Sequence, residues 1–386
     1  MSEPIRVALV MDHPAQQFTR GFQLLSAEPD INLQVYYWSV AASFLDPGFG
    51  RPVSWDVDLL GGYTWAAPAP AASVPLRLRW IVRRLRGARP EVVICYGWGT
   101  RIARASIAYC LMTRTRLLLY GDSTWQHSNR GQRRIARSVA VRILTQASTG
   151  AISTGTFNRE FYIRQGMDPR RIWSGVCPAD TELFGRDCVD NQGATYVESS
   201  SLHIGFAGKL IPRKGVDELL IASSMLPRMA NWSVTVVGDG PLMAELQELA
   251  SQLGLDDRVT FRGFVNTAEM PQILTSFDVL VVPSRKDMRV LVTIEAMAVG
   301  AAVVVSDATA VWGPGDLIED GVTGLVYPSG DPAALAAQLR RLLDDRSMLA
   351  TIRSNGLART ERFGPASFAR TTASAIRECL HSSTKG

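Results

Sequence analysis

Two Val-rich runs, DVLVVPS ending at Ser284 and AAVVVSD ending at Asp307, flank a segment that reads as helix from about Val292 to Val299. Apolar runs this short and continuous are strands buried on both faces. A helix joining two of them makes a unit of a parallel sheet. Asp287 lies in the loop after the first strand, and Glu295 lies inside the helix. Open α/β sheets bind ligands at the carboxyl ends of their strands. Carboxylates there accept hydrogen bonds from hydroxyls, and a two-oxygen acceptor suits a vicinal diol such as a ribose or hexose. Amide groups at the helix start can meet an anion. One short segment therefore offers groups for both a sugar and a phosphate.

The same alternation runs along the whole chain. IRVALVM, INLQVYYWSV, EVVICYG, TRLLLYG and TGAISTG read as strands, with helical patterns at 15–27, 101–112, 132–146 and 157–166. Residues 187–201, DCVDNQGATYVESSS, are polar and aperiodic and make the best linker. LHIGFAG, SVTVVGDG, RVTFRG, DVLVVPS, AAVVVSD and TGLVYP then form a second series, with helical patterns at 216–226, 242–253 and 333–343. Two such series in 386 residues predict an α/β protein of two doubly wound, Rossmann-like domains facing across a cleft. The expected boundaries are 1–186 and 202–364. Residues 365–386 are expected to form a helix returning toward the first domain.

Composition bounds the function. Apolar residues make up 46% and charged residues 20%, with no run near the ~20 apolar residues of a membrane span. MSEPIRVALVMD reads as a first strand rather than a signal peptide. The five cysteines have no metal-type spacing and read as reduced thiols of a cytoplasmic protein. Net charge is +5 with only four lysines, so Lys209 and Lys214 stand out. The Arg-rich stretches 77–89 and 130–142 read as solvated helix faces. Attraction to an anionic surface at the inner face of a membrane, or to a phosphate-bearing acceptor, is the alternative. No nucleic-acid motif accompanies them.

The second domain opens with LHIGFAGKLIPRKGVDELLIA. A strand ends at Gly208, a loop carries Lys209 and Lys214, and a helix follows Gly215. Two cations above strand ends can neutralise a diphosphate leaving group; two exposed loop lysines are the plain reading. VVGDGP brings Gly238 to the edge of the next strand. RGF brings Phe264 to the edge of the third, either to meet a base or to pack in the core.

Taken in order, GKLIPRKG, VVGDGP, RGF, PS with D-x7-E and AMAVG, VVVSD and DLIEDGVTGLVYPSGDPAAL resemble the retaining GT-B glycosyltransferases with a Glu-x7-Glu motif, the bacterial group 1, family 4-like enzymes. In the first half DHPAQQF, YYWS and DPGFGRPVSWDVDLLGGY resemble the acceptor domain of one bacterial branch. The resemblance implies that Lys209 and Lys214 contact the donor diphosphate, Glu295 holds the ribose hydroxyls and Asp287 contacts the transferred sugar. Gly208, Gly238, Phe264, Met288, Arg289, Val290 and Leu291 would complete the donor site. It also implies front-face substitution without metal or other cofactor, on a nucleotide sugar, with UDP-sugar expected. Acceptors would be a hydroxylated small molecule or a lipid-linked glycan.

Three features depart from the family pattern. Asp287 is a methylene shorter than Glu, Met288, Arg289 and Val290 replace a small Gly-containing turn, and Lys209 replaces Arg with loss of its fork geometry. The first loop also lacks the usual Gly-Gly. A catalytically weak or inactive nucleotide-binding partner is therefore the competing reading. A dinucleotide oxidoreductase is disfavoured, because MDHPAQQF stands where a G-x-G-x-x-G belongs. On the acceptor side, Asp122 and His127 lie where relatives have a His or an acid near the reacting sugar. His13, Trp98 and Trp125 follow strands and are acceptor-binding candidates, with structural or core roles as the alternative. Oligomeric state is not written in the sequence.

Overall fold

Val, Ile and Leu runs pair into two separate parallel sheets, one in each of two compact units. The computed structural model describes residues 3–40, 44–46, 48, 51–53, 57–124, 132–176, 178–190, 201–288 and 290–381. The first unit comprises Met1–Ala42, Asp58–Pro178 and Gly364–Gly386; the second comprises Ser43–Val57 and Ala179–Phe363.

The chain begins with β1 (Ile5–Met11), α1 (Gln16–Ser26) and β2 (Ile31–Tyr37). A short antiparallel pair, β3 (Phe44–Asp46) and β4 (Arg51–Val53), groups with the second unit. There follow β5 (Trp65–Ala66), α2 (Val74–Ala88), β6 (Val92–Tyr96), α3 (Arg101–Thr113), β7 (Arg116–Gly121), α4 (Gln132–Ala147), β8 (Gly150–Ser153), α5 (Thr156–Arg164) and β9 (Ile172–Ser174). The sheet order is β5-β2-β1-β6-β7-β8-β9. One face is covered by α2, α3 and α5 through Ile81, Leu85, Ile102, Ile107 and Tyr162. α1 supplies Phe18 and Phe22, both buried, to an aromatic cluster with Tyr96, Tyr120 and Phe368.

The second unit starts with α6 (Thr181–Asp190) and continues through β10 (Leu202–Ala207), α7 (Val216–Ser224), β11 (Trp232–Val237), α8 (Met243–Gln252), β12 (Val259–Gly263), α9 (Met270–Thr275), β13 (Val279–Val282), α10 (Leu291–Ala298), β14 (Ala302–Ser306), β15 (Leu325–Tyr327), α11 (Pro332–Asp344) and α12 (Arg346–Thr360). Its sheet order is β12-β11-β10-β13-β14-β15. The strand order reverses between β10 and β13, and in the first unit between β1 and β6. Neighbouring loops diverge at such points and leave a crevice at the carboxyl edge.

One detail differs from the sequence reading. Residues 187–190, expected to be linker, continue α6, whose Phe184 is buried. After α12, which stays in the second unit, the chain closes with α13 (Pro365–His381) in the first. α13 packs on α1, with the Phe368 ring against Gly21. Arg377 also pairs with Glu28 and Asp30, each at 2.6 Å.

Candidate functional site

The loops after β10 and β13 rise from adjacent strands at the second unit's reversal point. Several direct links join them into one platform. Arg285 N donates to the Arg213 carbonyl at 2.9 Å, and the Arg285 guanidinium reaches the Pro212 carbonyl at 2.9 Å and Asp217 at 2.5 Å. Arg213 donates to the Lys286 carbonyl at 3.2 Å. Gly215 makes this approach feasible. Its φ is +66°, and a Cβ there would collide with the Pro283 carbonyl oxygen.

Asp287 sits at the centre. Its side chain is only 7% exposed; Oδ2 is 2.6 Å from Lys214 Nζ and Oδ1 is 3.2 Å from Arg213 Nη1. Its backbone pairs with the loop after β14, donating to Ala308 O and accepting from Ala310 N. A carboxylate this buried must be paired, and each oxygen faces a cation. Asp287 and Lys214, assigned to the sugar and the diphosphate from sequence, thus hold each other in this structure. Arg213, which the sequence reading passed over, is the third member. The PRKG run was its only signal.

Around this platform, Lys209 is half-buried in the same loop, where Leu210 N bonds to Asp239 O. Gly238 packs so closely on Gly208 that any side chain would strike the Gly208 carbonyl. Phe264, half-buried, follows β12. Val290 is buried, Leu291 half-buried and Met288 exposed; Arg289 lies outside the described residues. Val290 provides no side-chain cap to α10, and a helix start of this kind can offer its first amides to an anion. Glu295 projects from the second turn. Protein packs densely around its carboxylate, and burial pushes its pKa up to about 7. The residue nonetheless keeps partial solvent access. Its carboxylate has no hydrogen-bond partner among the described residues. A hydroxyl-bearing ligand would meet an unsatisfied acceptor.

In the first unit, His13 follows β1 and Trp98 follows β6, again at the reversal point. The His13 side chain is 66% exposed, 3.8 Å from Asp12. One face of Trp98 stacks on Phe161 at 5.8 Å, so core packing already uses part of that ring. Asp122 follows β7, half-buried, and its charge together with burial raises the Tyr162 phenol pKa; burial is the larger cause. Asn158 ties this edge together by donating to Ser123 O at 2.6 Å and accepting from Thr154 N at 3.1 Å. Tyr162 and Asn158 were not anticipated, because they come from a helix with no motif. Trp125 and His127 lie outside the described residues. Among the described residues no group of three or more His, Cys, Asp or Glu is placed to hold a metal.

The family model "Glycosyl transferases group 1" matches residues 201–345, the segment that builds the platform. The lipopolysaccharide core biosynthesis mannosyltransferase LpsB of Rhizobium meliloti is 32% identical over 288 residues, which cover 71% of this chain and 76% of that protein. The chain belongs to the group 1 glycosyl transferase family. The 2-deoxystreptamine glucosyltransferase of Streptomyces kanamyceticus is 32% identical over 241 residues, covering 60% of this chain and 58% of that one. Against several curated relatives of the family the match spans only 36% to 58% of their length. Among solved structures, the HepE protein of Anabaena in complex with UDP superposes over 97% of this chain and 100% of its own. The TM-score is 0.72 at 18% identity, which establishes a shared GT-B fold. No described helix is long and apolar enough to cross a membrane.

Proposed function

We propose that this chain is a retaining, metal-independent glycosyltransferase that moves a sugar from a nucleotide-diphosphate sugar to a hydroxyl acceptor. One observation carries the reading. Two cations, Lys214 and Arg213, are fixed on Asp287 at the carboxyl edge of a parallel sheet, beside a helix start and an unsatisfied carboxylate. A diphosphate fits the cations and the helix amides, and a ribose diol fits Glu295. In the transfer, the bond from the anomeric carbon to the diphosphate oxygen breaks as the acceptor oxygen bonds on the same face. The acceptor proton passes to the departing phosphate oxygen. The residues' main contribution is to stabilise the leaving charge, with Lys209, Arg213 and Lys214 as the cations.

UDP is the favoured nucleotide, since the HepE structures hold UDP and UDP-glucose. Both acceptor classes have a relative: one acts in lipopolysaccharide core biosynthesis and one is named for 2-deoxystreptamine. A thermal-shift panel of nucleotides and nucleotide sugars tests the site without knowledge of the acceptor. A rise with uridine diphosphates, lost in Glu295→Ala, is expected. No rise at millimolar concentration with any nucleotide sinks the reading.

A second reading, a partner that binds nucleotide without transferring sugar, is favoured by the engagement of both Asp287 oxygens. Slow donor hydrolysis by the purified chain separates the two. Hydrolysis sensitive to Lys214→Ala supports the transferase, and binding with no hydrolysis supports the partner.

A further inference from the structure

Three consecutive helices of the first unit carry positive charge only. α2 contains five arginines, α3 two and α4 four, and none contains an Asp, Glu or Lys. All three lie against the same face of the sheet, anchored by Ile81 and Leu85, by Ile102 and Ile107, and by Leu144. Their other sides face solvent. On α2 the outward row is Leu76, Arg79, Arg83 and Arg86; on α3 it is Arg101, Arg104, Ala108 and Leu111, joined by Met112. The spacing in each row is three to four residues, which places it on one side of its helix. On α4, Val139, Arg142 and Ile143 are exposed.

Two properties set this face apart. The five arginines of α2 and α3 named above, and Arg142, have no ion-pair partner among the described residues. Between them stand large apolar side chains open to water: Leu76 at 54%, Leu111 at 49%, Met112 at 72%, Val139 at 51% and Ile143 at 61% exposed. The remaining basic side chains of α2 are spent internally, Arg77 on Trp38 and the Pro70 and Ala72 carbonyls, Arg84 on Trp80.

We propose that this face of α2, α3 and α4 docks on the surface of a bilayer containing anionic phospholipid. Guanidinium groups meet the headgroup phosphates, and the interleaved apolar side chains enter the boundary with the acyl chains. A nucleic acid would use the arginines but leave Leu111, Met112 and Ile143 without a role. A second copy meeting this face through a two-fold axis would oppose two acid-free surfaces and be repelled. The inference stands independently of the transfer reading, since it uses no residue of the second unit.

The test is co-sedimentation of the full chain with vesicles of phosphatidylcholine alone and of phosphatidylcholine with phosphatidylglycerol, at low and high salt. Binding to the anionic vesicles only, weakened by salt, is expected. Arg83→Glu with Arg86→Glu should reduce it by at least about tenfold. Leu111→Ser with Met112→Ser, on a different helix, should weaken binding that survives salt, and both pairs should melt with the wild type. If the arginine pair fails to fold, the Leu111 and Met112 pair decides. Equal binding to neutral vesicles, or anionic binding unchanged in the folded variants, overturns the proposal. So does tighter binding to duplex DNA at equal phosphate concentration that ignores Leu111 and Met112.

Discussion

The two units share one sheet topology at their reversal points but dress it differently. In the second unit the crevice-forming loops carry Lys209, Arg213, Lys214, Arg285 and Asp287, interlocked by charge and main-chain bonds. In the first unit the corresponding loops carry His13, which is exposed, and Trp98, which leans on Phe161. No lysine occurs in the first 208 residues. The topology supplies a crevice in each case, and the loop chemistry chooses its ligand. A crevice lined by interlocked cations suits an anion such as a diphosphate. An open edge with an aromatic ring and a carboxylate suits neutral hydroxylated molecules. The surrounding cores differ in the same sense. Phe18, Phe22, Tyr96, Tyr120 and Phe368 cluster in the first unit, while the central strands of the second are Val-rich and nearly fully buried.

The largest effect is expected at Gly215. Gly215→Val forces a left-handed backbone on a branched residue and drives its side chain into Pro283. A loss of about 3 kcal/mol in urea unfolding, with no nucleotide-induced thermal shift, is expected. If such a variant binds UDP normally, the two loops do not form one platform. Next in size is Lys214→Ala. It leaves Asp287 buried with one cation, for a loss of about 2 kcal/mol, and lowers transfer or donor hydrolysis by roughly a hundredfold. Trp98→Ala, its counterpart in the first unit, should leave the nucleotide shift unchanged and raise only the acceptor KM. Loss of the nucleotide shift in Trp98→Ala would erase the proposed division of labour.

Glu295 sharpens the picture through pH. Its pKa is raised to about 7 from an ordinary 4.5 by burial, so the folded protein takes up its proton first as pH falls. Stability contributed this way is fully present below about pH 4.5 and is lost as pH rises through 7. Partial solvent access keeps the effect to about 1 kcal/mol, and Glu295→Gln should abolish it in melts across pH 5 to about 8. UDP affinity should run the other way, rising through pH 7 in the wild type only, because in the proposed binding mode the ribose hydroxyls bond to the carboxylate. Asp287→Asn has a smaller, split effect. One negative charge leaves the platform, so UDP should bind about threefold tighter by calorimetry while transfer falls. The smallest change is expected at Arg377→Ala. Its partly exposed pairing with Glu28 and Asp30 secures α13 to the first unit and contributes about 0.5 kcal/mol in chemical denaturation.

Most of the strand and helix pattern was legible, because Val-rich runs and helical spacing are local properties. The helix expected over 292–299 is α10, shifted by a single residue. Misreadings arose where local composition is ambiguous. Residues 187–190 look like linker, yet they extend a helix whose Phe184 is buried. The residues of the candidate site were largely named from sequence, but their partners were not. Arg213 carries no signal apart from its neighbours, and Tyr162 and Asn158 belong to an ordinary helix.

Two α/β units, the loops at their strand ends and the family were already legible in the chain. All of these follow from periodicity and short motifs. Folding brought Lys214 and Asp287, 73 residues apart, to hold each other, and buried Glu295 enough to raise its pKa. Folding also set the exposed arginines of α2 and α3, with Arg142 of α4, on helices that pack against one face of the sheet. The reason is that pairing, desolvation and surface charge depend on distances between elements. Those distances are set by how sheets and helices pack, and no local stretch of sequence contains them.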